Sequence, residues 1–229
     1  MDISWLKSML QTTDPLFPIG SYAHSYGMEE LCAQGVVHDQ STLLKYIETS
    51  LHLNLRTFEL PYLRFAYDAN LADDFTLLSE LDQEIGAAKP SREIRQASAS
   101  QGKQRLRLIS KLRPTPRFAR LAELQERKQI TPHHLSIFAA ENVDLETPLS
   151  ATLTAWAYQA IAAPCAASLK LIRIGQEGAQ LVLTQALENL QSLIDDSMSV
   201  DREYAGAFLP TIDIASDRHE RAFARLFIS

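Results

Sequence analysis

Cysteine is nearly absent from this sequence: Cys32 and Cys165 are the only two, and they lack the CxxC spacing of a redox or zinc motif. Two thiols build no disulfide framework, which points to a reducing, cytoplasmic setting. The N-terminus, Met-Asp-Ile-Ser-Trp, has no basic region followed by an apolar stretch, so no export leader is read there. No run approaches the ~18 consecutive apolar residues that span a bilayer. The longest mild one, Ala160 to Ala167, is interrupted by Pro164. Glycine is also scarce, at eight residues. Gly102-Lys103 has Ala97 where a P-loop needs its first glycine, and neither GxSxG nor a strand-linked GxGxxG occurs. These absences argue against a membrane protein and a P-loop nucleotide binder. Nothing present points to an enzyme or to a bound cofactor.

Histidine offers little metal chemistry. His133 and His134 are adjacent, and neighbours on a helix point about 100° apart. His24, His38 and His52 each stand alone, so no stable metal site is expected. Net charge is −6 but unevenly spread. Between Lys89 and Lys128, twelve Lys or Arg meet only three acids, a local charge of +9 against −15 for the remainder. Such asymmetry marks either a solvated basic helix or a surface for a charged partner. Nucleic acid is the alternative partner class for segment 89–128, although aromatic interleaving and a basic overall pI are missing.

Helical spacing dominates what is present. Ile3, Leu6, Met9 and Leu10 repeat at helical period until Asp14-Pro15. Ser21 to Gln34 follows a short loop and closes at Gly35. Ser41 can cap a helix carrying Leu44, Ile47, Leu51 and Leu55, and Pro61 suits the first turn of the next. Asp73 to Ile85 and Ser91 to Leu112 read as helices, the second weakened by Gly102. Arg113-Pro114-Thr115-Pro116 breaks the chain, and Thr131-Pro132 and Thr147-Pro148 each read as a cap with proline at the first helical position. Pro164 should kink the long apolar helix from Pro148. Leu171–Ile174 with Leu181–Leu183 is the one possible hairpin, and a helix–turn–helix fits as well. The expectation is an all-α protein, one domain over 1–229 of roughly eight to ten helices with flexible ends.

Two segments stand out. In Phe17 to Glu30, His24, Met28 and Leu31 share one helical face while Tyr22, Tyr26 and Glu29 share the opposite one. Such a helix is either buried or offers its tyrosine face to a partner. At the C-terminus, Ile212, Ala215, His219, Ala222, Phe223 and Leu226 form one stripe, and Arg218, Arg221 and Arg225 another. His219 sits at the centre of the apolar stripe and is expected to pack and hydrogen-bond. A tail this apolar docks on its own domain or on another chain.

Pro18-Ile19-Gly20-Ser21-Tyr22 with His24-Ser25-Tyr26-Gly27-Met28-Glu29 resembles the signature P-[LIV]-G-[SA]-[FY]-x-[HY]-S-x-G-[LM]-E of the urease accessory protein F family. Ala215-Ser216, Arg218-His219-Glu220, Arg225-Leu226-Phe227 and Ser229 resemble its ending, AS-x-RHE…RLF-x-S. Arg92 and Arg95 match an RE-x-R segment, and Gln176 and Gln180 match a glutamine pair in a loop after the long helix. Departures are the glycine spacing in Gly175 to Gln180, Phe223-Ala224 in place of Tyr-Ser, and Pro164 within a helix. The resemblance implies an all-α, generally dimeric, non-catalytic protein of the cytoplasm. It implies a bridge between accessory protein D (H in some species) and the GTPase accessory protein G, delivering nickel into apo-urease, with a suggested GTPase-activating or fidelity role. By that resemblance the partner-binding residues are Tyr22, His24, Tyr26, Glu29, Arg218, His219, Glu220, Phe223, Arg225, Leu226 and Phe227.

Overall fold

The computed structural model describes residues 3–20, 27–206, 209–222 and 225–227. Among these residues every regular element is helical. In chain order they are α1 (Ser4–Thr13), α2 (Met28–Ala33), α3 (Gln40–Tyr46), α4 (His52–Asn54), α5 (Leu60–Leu71), α6 (Phe75–Ala87) and α7 (Arg92–Leu112). There follow α8 (Pro116–Glu126), α9 (His134–Asp144), α10 (Leu149–Leu171), α11 (Gly175–Leu187), α12 (Leu190–Met198) and α13 (Pro210–Glu220). Two π-helical turns, Ile47–Leu51 and Leu55–Glu59, join α3, α4 and α5. The stretch that could have been a hairpin is the end of α10 and the start of α11, and Gln176 and Gln180 lie on α11 rather than in a loop. The helix α10 continues through Pro164.

The chain forms two compact units. One gathers Met1–Tyr22, Tyr62–Pro90 and Arg95–Leu153; the other gathers Ala23–Pro61, Ser91–Ile94 and Thr154–Ser229.

The core of the first unit is α9, every residue of which from Leu135 to Val143 is buried. Burying that many side chains brings polar groups inside, and each needs a partner. Glu141 meets Arg105 of α7, which is also fully buried, and Arg113 at 2.9 Å. Arg105 donates in addition to the Thr12 carbonyl at 2.7 Å and lies over the rings of Phe17 and Phe138. The glycine that seemed to weaken α7 has a packing reason. A Cβ on Gly102 would stand 1.9 Å from the Pro132 carbonyl oxygen, so the backbones of α7 and the α9 entry touch directly.

The start of α9 departs from the expectation of a Thr131 cap with proline at the first helical position. The helix begins at His134 and its N-cap, His133, makes no side-chain cap of its own. Asp82 of α6 supplies it: Oδ1 accepts the His133 N–H at 2.9 Å and the Ser136 hydroxyl at 2.7 Å. A carboxylate at a helix N-terminus satisfies orphan donors and complements the dipole. Burial pushes the Asp82 carboxyl up to about 6, against the hydrogen bonds from Ser136, His133 and Thr131. Burial, with Lys89 and Arg95 nearby, pushes His133 down to about 4.

These two shifts act in opposite senses. A carboxyl with a raised folded pKa makes the protein lose stability as pH rises between about 4 and 6. An imidazole with a depressed folded pKa makes it gain stability as pH rises between about 4 and 6.5, and each slope is about 1.4 kcal/mol per pH unit. They therefore offset each other. In Asp82→Asn only the His133 slope remains, so acidification from about pH 6.5 to 4.5 is expected to cost the variant about 2–3 kcal/mol more than the parent. Urea unfolding across that range measures it; parallel pH profiles would refute the assignment.

In the second unit, α3 is capped by Asp39 and Thr42 in a reciprocal capping box, two residues before the Ser41 that the sequence suggested. Asp39 lies in an extended conformation from which its carboxylate reaches the Thr42 N–H at 2.8 Å. Pro61 sits one residue into α5, directly after a π-helical turn, not at a fresh helix start. Having no N–H, it cannot use the carbonyl of Thr57 four residues back, and that oxygen accepts the Gly206 N–H at 2.8 Å. Trp156 of α10 donates its indole N–H to Glu59 at 2.8 Å. Helices α2 and α13 pack on each other through Gly27, whose φ of 84° needs glycine. A Cβ there would meet Ser216 Oγ at 2.9 Å and Ala215 Cβ at 3.3 Å.

Candidate functional site: a carboxylate pair that holds the C-terminal segment

Glu29 comes from the N-terminal distinctive segment and His219 from the C-terminal one. Close packing at Gly27 brings α2 against α13, and one ridge of α2 then sinks into the core: Met28 and Leu31 are buried. Glu29, on the other side of the helix, faces the chain's own C-terminal segment. Its carboxylate accepts the main-chain N–H of Leu226 at 2.7 Å and of Phe227 at 3.0 Å, and lies 3.1 Å from His219 Nε2. The other ring nitrogen of His219, Nδ1, lies 3.0 Å from Glu93 of α7, which also accepts from Arg225 at 2.9 Å. Arg92, the next residue along, pairs with Glu220. Phe227 is buried and Lys170 of α10 stands over its ring at 5.5 Å.

His219 is almost wholly buried, at 1% exposure. Glu29 and Glu93 accept N–H groups from Leu226, Phe227 and Arg225, and hydrogen bonds to carboxylates are charge-assisted, the strong class. Burial pushes the Glu29 carboxyl up, but the Leu226 N–H, His219 and the Phe227 N–H outweigh it and hold it below the usual glutamate value. Burial, with the Glu29 charge nearby, pushes the Cys32 thiol up to about 11, which makes it a poor nucleophile. Because Glu29 and Glu93 approach opposite edges of the ring, they share no point where an ion could sit. Among the described residues no group of three His, Cys, Asp or Glu side chains is placed to hold a metal.

The apolar stripe read along the C-terminus holds for Ile212, Ala215 and His219, all buried. It does not extend to Leu226, which is 70% exposed while Phe227 is buried instead. The reason is that α13 ends at Glu220, so helical spacing no longer applies beyond it. Arg218 is exposed, and Arg221 pairs with Asp217 at 3.1 Å. Tyr22, His24, Tyr26 and Phe223 lie outside the described residues. Glu93 and Lys170 belong to the site and were not singled out from the sequence. Glu93 lies inside the RE-x-R segment, between the two arginines that were; Lys170 carries no sequence signal.

Comparison with known proteins completes the picture. The family model UreF matches residues 37–187. The chain belongs to the UreF family. A urease accessory protein UreF from Marinomonas sp. is 32% identical over 228 residues, covering 100% of this chain and 95% of that protein. One from Actinobacillus pleuropneumoniae serotype 5b is 29% identical over 224 residues, 98% of this chain and 99% of that protein. One from Haemophilus influenzae strain Rd is 29% identical with coverage of 98% and 95%. The matched family region, 37–187, contains Glu93 and Lys170 and leaves out Glu29 and α13.

Proposed function

We propose that this chain is a non-catalytic accessory scaffold in urease maturation. It works in the cytoplasm as a homodimer and bridges accessory protein D/H to the GTPase accessory protein G, so that nickel reaches apo-urease. Membership of the UreF family supports an accessory role. The observation that carries the docking part is the network of Glu29, Glu93 and His219, which joins the two distinctive segments around a short apolar stretch that includes Leu226. Residues 1–229 act as one domain in this reading, and the chain passes between the two units at five points along its sequence. Among the described residues no helix is long and apolar enough to cross a membrane. The residues assigned to partner binding in this reading are Tyr22, His24, Tyr26, Glu29, Arg218, His219, Glu220, Phe223, Arg225, Leu226 and Phe227, the buried His219 and Phe227 acting by holding the exposed Arg225 and Leu226 in place. A nucleic-acid role for segment 89–128 is not favoured, since Arg105 and Arg113 are engaged with Glu141, Arg117 with Asp73, and Arg120 and Arg127 with Glu123.

Size-exclusion chromatography with light scattering, mixing the protein with its D-type and G-type partners, tests the reading. The expected result is a stoichiometric complex that recruits the GTPase only when this chain is present. Independent elution of all three would overturn it. Deleting the last ten residues is expected to leave a folded dimer that no longer captures the D-type partner; unchanged capture would remove the tail from the interface.

A further inference from the structure

From Ile94 to Ala122 the sequence holds eight Lys or Arg and no Asp or Glu. Five of the eight are engaged: Arg105 and Arg113 by Glu141, Arg117 by Asp73, Arg120 by Glu123, and Arg95 by the carbonyls of Lys89 and Pro90. The other three, Lys103, Arg107 and Lys111, are exposed on α7. Among the described residues none of them pairs with a carboxylate; Arg107 donates only to its neighbour Gln104 at 3.1 Å. At about 100° per residue, Gln96, Ser100, Lys103, Arg107 and Lys111 fall within an arc of about 80°, and the three cations span about 12 Å. Exposed helices commonly offset such charges with Glu–Lys pairs four residues apart. This face has none.

The backbone beneath is held firmly, because Gly102 and Arg105 press the opposite side of α7 into the core. The cations are therefore presented in a fixed row. At the N-terminal end of the same helix lies a cavity of about 420 Å³, lined by Asp82, Gln83 and Gly86 of α6, Arg95, Gln96 and Ala99 of α7, and Thr131 and His133. Gln96 belongs to both the cavity and the charged row. A row of cations without carboxylate partners among the described residues, beside a cavity whose amide, hydroxyl and guanidinium donors face one carboxylate, Asp82, that already accepts from His133 and Ser136, has the pattern of a receptor for an extended anionic chain.

We propose that this face of α7 and the adjoining cavity bind an acidic peptide segment of a protein partner. Its carboxylates would lie opposite Lys103, Arg107 and Lys111, with one side chain seated between Gln83, Arg95, Gln96 and Thr131. Charge complementarity selects the occupant. Nucleic acid fits less well: the row holds no aromatic ring on which a base could stack, the one ring in the cavity lining is the buried His133, and the chain carries a net charge of −6. The inference stands apart from the accessory-scaffold reading, and its test needs no accessory protein.

The test measures fluorescence anisotropy of a labelled twelve-residue Glu/Ala peptide against the full chain, with a twelve-nucleotide single strand as a second probe. Peptide binding is expected to weaken about tenfold between about 50 and 200 mM salt, as exposed charge pairs are screened. The triple variant K103E/R107E/K111E should bind at least about tenfold more weakly and lose the salt dependence. Gln96→Trp, which fills the cavity mouth and leaves the charged row intact, should weaken binding by about threefold or more. All the substituted residues are exposed, so circular dichroism melting should stay unchanged. Equal peptide affinity in the triple variant would overturn the proposal. So would tighter binding of the oligonucleotide than the peptide, or self-association that the triple variant abolishes, since either assigns the face to a different occupant.

Discussion

Glu141→Ala is expected to destabilise the protein by about 3–5 kcal/mol, the cost of stranding a buried charge. Arg105 has no exposed surface, and Glu141 is the acid that neutralises it. Burial already lowers the affinity of the Arg105 guanidinium for its proton, a penalty that the Glu141 charge opposes. Without Glu141 the guanidinium keeps its bond to the Thr12 carbonyl and its contacts with Phe17 and Phe138, none of which carries a formal negative charge. Arg113 would lose its partner too, but it is partly exposed and can turn to water. Urea unfolding measures the loss, and a change below about 1 kcal/mol would refute the account. The double variant Arg105→Met/Glu141→Leu is expected to recover much of it, because removing both charges removes the desolvation penalty as well. Recovery would be incomplete, since the Thr12 carbonyl loses its donor.

Gly102→Ala is expected to cost about 3 kcal/mol or more, at the upper end of overpacking penalties. In an exposed helix the same change would stabilise by about 1 kcal/mol. Here the added carbon would meet the Pro132 carbonyl oxygen at 1.9 Å, the His133 carbonyl carbon at 2.6 Å and the His134 nitrogen at 2.7 Å. All three are backbone atoms, so no rotamer change relieves the clash. Moving the segment away from α7 would also pull His133 from Asp82 and loosen the cap of α9. Gly206→Ala is the control: nothing lies within 4 Å of its added carbon, and a change within about 0.5 kcal/mol is expected. Similar unfolding midpoints for the two variants would show that the contact at Gly102 is not tight.

Much of the fold can be read along the chain because helix signals are local. Spacing of apolar residues, prolines at breaks and polar caps act within one or two turns. The errors fall where a cap or a bend is supplied from elsewhere. Thr131 does not cap α9 because Asp82, some fifty residues earlier, does so. Pro61 does not open a helix because a π-helical turn before it and the Gly206 N–H accommodate the missing donor.

The two chain ends were recognisable as unusual because their composition departs from that of ordinary termini. Their relation to each other was not. Glu29 and Phe227 are 198 residues apart in sequence, and no local pattern says that one carboxylate will receive the other's main-chain N–H. Glu93 lies in a run whose excess of basic residues drew attention to charge, whereas its role depends on the place where α13 delivers His219.

What the sequence determined by itself is the all-helical class, the main helix breaks and the two segments that mark the UreF family, since each is written in neighbouring residues. Tertiary structure alone decided which charges are buried and paired, which glycine is a close contact, and which cations on α7 face solvent with no carboxylate partner among the described residues. Burial and long-range pairing depend on the packing of distant segments, and that packing sets whether a charge costs several kcal/mol or almost nothing.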